Sequence, residues 1–450
     1  MPTAVGETIQ PCPECGAEIH ADNRFTIWCA ACDWNVDPKD QQEKRERQEQ
    51  QGARGKRGKR VRQGRLEEAR RALAQRYGEK LHAEVTQGGA ELRARRDGAA
   101  MLAYAIALAV HGVTAALLAG GVFCIVWGWG GGLVLLGVVL LAVAVALRPR
   151  LSGPPADGTV VHRADAPELY ALVDEVARVV GTRGVDTIAV GKEINASVAS
   201  RGLRGRRVLS LGLPLWEVLT PQQRVALLGH ELGHYGNGDT RHGVVVGTAL
   251  RSLVTWRYYF APIPRPTGTE MVVNAVYAVP LLLVQGTLVL LDHLTLRATQ
   301  RGEYLADREA ARVASTEAAA GLMDQLLIVE SVDVFLRRER NNAALTGARS
   351  ARGTAAASAD APDGLWTRLA AHMASVPEHE YERQRRAGAR RGHSVDATHP
   401  PTHLRRACLL AGPPSEAAVF LDDDRLRRIT AELAGARTEV ARRIVRDGVG

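Results

Sequence analysis

The pentapeptide His230-Glu231-Leu232-Gly233-His234 carries two imidazoles and a carboxylate within about one helical turn. His230 and His234 are i and i+4, so their rings leave one helix face and can share a metal ion. Glu231 lies beside them, where a carboxylate can take a proton from water. This set at this spacing points to zinc-dependent hydrolysis, in which a third protein donor completes the ligands and one position stays open. Thr220, Pro221 and Gln223 form a capping box that starts the helix about ten residues before the motif. Asn237 and Thr240 stand where an extended HExxHxxGxxH motif needs Gly and His, so the third ligand comes from farther along. Glu303 and Asp307, again i and i+4, are the candidates within the helical run 299–313. One can bind zinc while the other accepts a hydrogen bond from a ligand histidine. The competing reading pairs them with Arg301 and Arg308 on a wet helix face.

A second metal module stands at the N-terminus. Cys12, Cys15, Cys29 and Cys32 form two CxxC pairs separated by thirteen residues, the spacing of a tetrahedral four-thiolate zinc site. Trp28 and Trp34 can cover it. Four thiolates leave no open position, so this zinc is expected to be structural, in a ribbon that can bind a protein partner. A reducing cytoplasm argues against disulfides here. Cys124 and Cys408 read as small apolar residues.

The elements that position these groups are segregated by polarity. With 24% charged residues and a mean hydropathy of −0.12, the chain looks soluble on average. Residues 98–147, however, contain no charge apart from His111, long enough for two membrane spans joined at 128–132, with Trp127 and Trp129 at the interface. A second apolar hairpin is expected from 243–261, interrupted by Arg251 and Arg257, and 271–291, kinked at Pro280. Basic residues crowd 44–65 and recur at Arg148 and Arg150, while the loop between the first spans has none. The positive-inside rule therefore puts both termini and the site in the cytoplasm of a multi-pass cell-membrane protein. No secretory signal is read at the start. The net charge of +9 reads mainly as topology and attraction to membrane lipid; nucleic acid is the less favoured, unlikely partner, as the runner-up explanation of the basic linker.

These motifs, in this order, resemble the membrane-integrated gluzincins of the HtpX and CAAX prenyl protease type. The resemblance rests on HELGH, on Glu303-Tyr304-Leu305-Ala306-Asp307, and on Thr398-His399-Pro400-Pro401 followed by Arg405. Asp165 to Leu169 and Ile194-Asn195-Ala196 fit the same pattern, and the likeness covers residues 99–410. It implies a mainly α membrane protein: a zincin-like catalytic domain with a small β-sheet, transmembrane helical hairpins, and here an added N-terminal zinc ribbon. It further implies that His230, His234 and Glu303 bind the catalytic zinc, that Glu231 is general base, and that Asp307 supports a ligand histidine. His399 and Arg405 would help hold substrate or the oxyanion. A rigid turn is the competing reading of the HPP segment, and His403 is an alternative to His399. Ser197 follows Asn195-Ala196 where the family commonly has an aromatic residue, which bears on substrate preference. Residues 187–200 read as one strand with a polar interruption; at a sheet edge it would pair with an extended peptide substrate.

The expected organisation is a ribbon at 1–40, a charged helical or flexible linker at 41–98, and a transmembrane hairpin at 99–148. The catalytic domain follows in two parts, 149–242 and 298–450, around the apolar hairpin 243–297. Within the second part, 341–364 reads as a mobile loop, and 365–386 and 423–446 as amphipathic helices. The function these features favour is a zinc endopeptidase acting on membrane or misfolded proteins. A CAAX-type processing protease and an inactive membrane scaffold are the alternatives.

Overall fold

The apolar segments form helices that turn much of their hydrophobic surface outward. The computed structural model describes residues 8–22, 24–38, 76–84, 98–149, 158–202, 205–236, 240–351, 364–391 and 399–449. Helices α1 (Gly98–Trp127) and α2 (Leu133–Leu147) fold back on each other. A Cβ on Gly137 would lie 2.7 Å from the Gly121 carbonyl oxygen, so glycine is what lets the two backbones approach. Leu108, Leu118, Phe123, Leu135 and Val139 are exposed on this pair, a larger apolar surface than water tolerates. Helices α6 (Thr240–Tyr259) and α7 (Gly268–Ala314) join α1 around Ala103, Ala107, Ala249, Leu253 and Leu291. The Trp256 indole donates to the Leu147 carbonyl at 3.0 Å.

By length and composition, α1 and α7 can each cross a membrane. The turn of the first expected hairpin falls at 128–132, and α2 has 15 residues, about 22 Å at 1.5 Å per residue against a bilayer core of about 30 Å. Helix α6 carries Arg251 and Arg257. The expectation of a membrane segment followed by a separate helix at 299–313 is also corrected, because α7 is one 47-residue helix. Pro280 removes one backbone donor within it without ending it. The uncharged run 271–291 and Glu303 therefore ride on one rod, with Glu303 about 18 Å beyond Leu291 along the axis.

Strands β3 (Thr159–Val161), β4 (Thr187–Gly191), β5 (Ala196–Arg201) and β6 (Arg206–Gly212) form a sheet in the order β3-β4-β6-β5. Separately, β1 (Thr8–Pro11) and β2 (Glu18–Ala21) pair antiparallel in the ribbon. The segment 187–200 is thus two strands, since the chain turns at 192–195 and β6 inserts between them. Strand β5 is an edge, paired only with β6 among the described residues. Helices α3 (Pro167–Val180), α4 (Leu213–Val218) and α5 (Pro221–Gly236) pack with the sheet around Leu172, Val176, Ile188, Leu209, Trp216 and Leu228.

The remaining helices are α8 (Thr316–Leu327), α9 (Val329–Ala351), α10 (Gly364–Ala374), α11 (Glu378–Arg391), α12 (Thr402–Ala411), α13 (Asp423–Glu432) and α14 (Ala434–Asp447). Pro377 divides the helix expected at 365–386 into α10 and α11. The helix expected at 423–446 is likewise divided, with Gly435 in the first turn of its second half. The loop expected at 341–364 is helical through Ala351, and 352–363 lie outside the described residues. In the linker, residues 76–84 are helical, and Leu81 packs on Tyr304 of α7. The rest of the linker, 41–75 and 85–97, lies outside the described residues.

Helices α5 and α7 cross at small side chains. A Cβ on Gly229 would come 3.1 Å from the Cα of Ala310, and one on Gly233 would come 3.1 Å from the Cα of Ala306. Both contacts are against backbone, so a larger residue must push the helices apart. Gly233→Val is expected to lower stability by about 1–3 kcal/mol through overpacking, read as a lower thermal midpoint in detergent. Gly435→Ala, whose Cβ meets open space, should leave that midpoint in place; equal behaviour of the two variants would rule out the close crossing.

Candidate metal centre

The capping box forms as expected: the Thr220 N–H donates to Gln223 Oε1 at 3.0 Å, and the Gln223 N–H donates to Thr220 Oγ1 at 3.3 Å. This fixes the start of α5, and its glycine face presses on α7. Gln222 Nε2 then donates to the Ala314 carbonyl at 3.1 Å and to the Val419 carbonyl at 2.7 Å, tying the C-terminal end of α7 to the start of α5. The crossing brings three donor groups together. His230 Nε2 lies 3.3 Å from His234 Nε2 and 3.5 Å from Glu303 Oε2, and His234 Nε2 lies 3.5 Å from Glu303 Oε1.

These separations test whether a metal fits. Ligands about 2.05 Å from a tetrahedral ion stand about 3.3 Å apart, close to what the three donors show without any further movement. Two imidazoles and a carboxylate are also a donor set suited to zinc. The N-terminal cysteines pass the same test. Cys12 Sγ to Cys32 Sγ and Cys15 Sγ to Cys29 Sγ are both 3.6 Å, against about 3.8 Å for thiolates 2.3 Å from one zinc. None of the four is in a disulfide. Trp34 packs on this cluster, whereas Trp28 faces the Arg386 guanidinium at 5.2 Å.

A buried charge network surrounds the three donors. His230 Nδ1 lies 3.0 Å from Asp307 Oδ1, which orients the ring so that Nε2 faces the other donors. Arg405 forks onto Asp307, with Nη2 at 2.6 Å from Oδ1 and Nε at 2.8 Å from Oδ2. Its Nη2 is also 3.4 Å from Glu303 Oε2. Glu303, Asp307 and Arg405 are only 3%, 2% and 2% exposed, so the wet helix face considered for the two carboxylates is excluded. Arg405 therefore meets carboxylates rather than open space. His399 Nδ1 lies 2.6 Å from Glu303 Oε2, and its side chain is 26% exposed. His403 sits two residues before Arg405, half-buried on α12.

The electrostatics follow from this packing. Burial opposes the charge on Glu303, but Arg405 and the hydrogen bond from His399 outweigh it and hold the carboxyl well below the usual range. Asp307 is also depressed: burial works against its charge, and Arg405 and His230 prevail. Burial pulls His234 down to about 4, which leaves the neutral imidazole that ligates a metal. Burial is also the largest influence on Glu231, raising its carboxyl to about 7, where it can exchange protons near neutral pH.

Strand β5 packs beside α5, which brings the edge strand next to the metal-site helix. Ala196 begins it and is buried, while Asn195 is exposed and accepts the Ala196 N–H on its own Oδ1 at 2.8 Å. Three contributions escaped the sequence reading. The glycines at 229 and 233 had a signal, since small residues four apart on α5 face Ala306 and Ala310, also four apart, on α7. Helix 76–84 had little, being embedded in charged sequence, yet the Tyr304 hydroxyl donates to its Gly78 carbonyl at 3.4 Å. The third is Asp324, which is held by Arg385 at 2.9 Å and Arg406 at 2.8 Å.

A protease HtpX homolog 1 from Sulfurisphaera tokodaii is 31% identical over 80 residues, 18% of this chain and 25% of that relative. The match thus spans about a quarter of the relative's length. No solved structure matches the chain. The family model described as peptidase family M48 matches residues 163–411, a stretch that begins just after β3 and includes HELGH, Glu303, Asp307, His399 and Arg405. With more than half of its length matched, this chain belongs to peptidase family M48.

Proposed function

We propose that this chain is a membrane-integrated zinc endopeptidase that hydrolyses peptide bonds of membrane or misfolded proteins at the cytoplasmic face of the cell membrane. The observation that carries the reading is the triangle of His230, His234 and Glu303 donors at near-tetrahedral spacing, with Glu231 next to it in sequence on the same helix. When bound, zinc supplies a Lewis acid that polarises the scissile carbonyl and acidifies water. Glu231 removes the proton from the attacking water and delivers it to the leaving amine. An extended substrate adds to the edge of β5, which carries no second strand among the described residues, near Asn195 and Ala196, so that main-chain pairing sets its register. His399, beside Glu303 and partly exposed, is the donor in reach of a developing oxyanion. Arg405 acts differently from the oxyanion role expected of it: sealed against Asp307, it works through the orientation of His230. The four cysteines hold a second, structural zinc.

Membrane integration is supported by the exposed apolar surface of α1 and α7 and by the HtpX relative. The loops at 128–132 and 260–267 then face away from the cytoplasm, and α7 connects the bilayer directly to the zinc ligand. Trp129→Cys, with Cys124 and Cys408 replaced and the four ribbon cysteines kept, should label with an impermeant maleimide from outside intact cells where the same chain with Trp129 does not; equal, background labelling of the two would overturn this topology.

Glu231→Gln should keep both zinc ions yet cleave an unfolded or membrane substrate roughly 10²- to 10⁴-fold more slowly. Turnover at the native rate would exclude Glu231 as the base. His230→Ala should lose about one zinc equivalent of two by metal analysis, because the ribbon keeps its own. Arg405→Met leaves Asp307 buried without its guanidinium, a loss of about 3 kcal/mol that thermal unfolding would register.

A further inference from the structure

The ribbon does not stand apart from the rest of the chain. Its second knuckle is seated on the arginine-rich helix α11. Arg386 donates from Nη1 to the Ala30 carbonyl and to Asp33 Oδ1, both at 2.7 Å, and Arg390 reaches Asp33 Oδ2 at 2.8 Å. Arg383, paired with Glu380 in a buried contact, donates to the Val36 carbonyl at 2.8 Å. Phe25 packs against the main hydrophobic core. Asp33 is presented by the metal knuckle itself: its N–H donates to the Cys29 carbonyl at 2.9 Å, and its φ of 59° is the left-handed turn after Cys32. A folded knuckle is thus a condition for placing the carboxylate that Arg386 and Arg390 grip.

The other side of α11 leads toward the catalytic residues. Arg385, on the same helix, holds Asp324 of α8 at 2.9 Å, and Arg406 of α12 holds the same Asp324 oxygen at 2.8 Å. Arg405, next to Arg406, is the buried guanidinium on Asp307. The seam between the ribbon and helices α9, α10 and α11 contains a cavity of about 240 Å³ bordered by Arg24, Phe25, Asp37, Val334, His372 and Arg383. Incompletely filled seams are more readily separated than closely packed cores.

We propose that the ribbon's partner is this chain's own catalytic half, and that the docked, metal-bound ribbon is a positioning device for α11 and α12 and thereby for Arg405. This deepens the peptidase reading and rests on it for the consequence on cleavage. The structural part is independent of it. Loss of the ribbon metal dissolves the knuckle, frees Arg386 and Arg390 from Asp33, and relaxes the Asp324 clamp that aligns α12.

The test uses the full-length, zinc-loaded protein in detergent and the triple variant Phe25→Ser, Arg386→Glu, Arg390→Glu, which opposes docking without touching a cysteine or a catalytic residue. Hydrogen exchange is read at 378–391 and 402–411, and zinc content and cleavage are measured on the same samples. The expected result is two zinc ions retained, exchange raised roughly two- to thirty-fold in both segments, and kcat reduced over a similar range with KM little changed. Asp324→Asn should loosen 402–411 with the ribbon still docked, and combining it with the triple variant should add little. Unchanged exchange at 402–411 in the triple variant, whether or not 378–391 loosens, would overturn the proposal. If the wild-type protein cleaves nothing, the peptidase reading fails, and the exchange comparison still decides the positioning role.

Discussion

Two carboxylates buried side by side on α7 impose the condition that the rest of the site must meet. Glu303 and Asp307 are almost completely removed from water, and a desolvated charge is tolerated only when a counter-charge and hydrogen bonds replace the solvent. Arg405 supplies one positive charge and shares it between them. Its fork is closed on Asp307, so Glu303 is left facing the imidazoles of His230, His234 and His399. A divalent cation among those donors completes the charge balance that one guanidinium begins. The arrangement of Glu303 and two histidines could hold such a cation, and Asp307 and Arg405 form the frame behind it.

That frame depends on how closely two helices approach. Had Gly229 and Gly233 carried side chains, α5 would sit farther from α7, and the ligand triangle would widen beyond the reach of one ion. The same α7 continues without a break into the apolar bundle, so movement of the bundle is transmitted to Glu303 along a rigid helix rather than a loop. Placing the ligand about 18 Å beyond the uncharged run leaves space for residues 76–84 between bundle and site. The chain that precedes the bundle therefore returns to line the site, through Leu81 on Tyr304 and Gly78 beside Pro400 and Pro401.

Chemistry was more legible in the sequence than architecture. HELGH, the Glu303–Asp307 pair and the cysteine pairs announce themselves because metal ligation constrains residue type and spacing together. The capping box at Thr220 was readable for a similar reason, being a local hydrogen-bond pattern. Arg405 was found by its neighbourhood, but its role was not, because nothing local tells a guanidinium facing substrate from one sealed against Asp307. Strands β4 and β5 looked like one segment since their separation depends on β6, a later stretch that inserts between them. Hydrophobic length located the turn between α1 and α2 but not the continuity of α7, because that helix runs on past the end of its apolar run.

The position of the ribbon gives the network a direction. Individually, partly exposed pairs such as Arg390 with Asp33 contribute little, for solvent screens them. They become consequential when several converge on one rigid element. On α11, Arg383, Arg386 and Arg390 face the ribbon while Arg385 faces Asp324, so displacement on one side must alter the geometry on the other. Asp324 receives guanidinium groups from two helices and cannot satisfy both if either moves. In the proposed arrangement, a four-thiolate metal that performs no chemistry contributes to the site by fixing the helix against which the buried Arg405 is aligned.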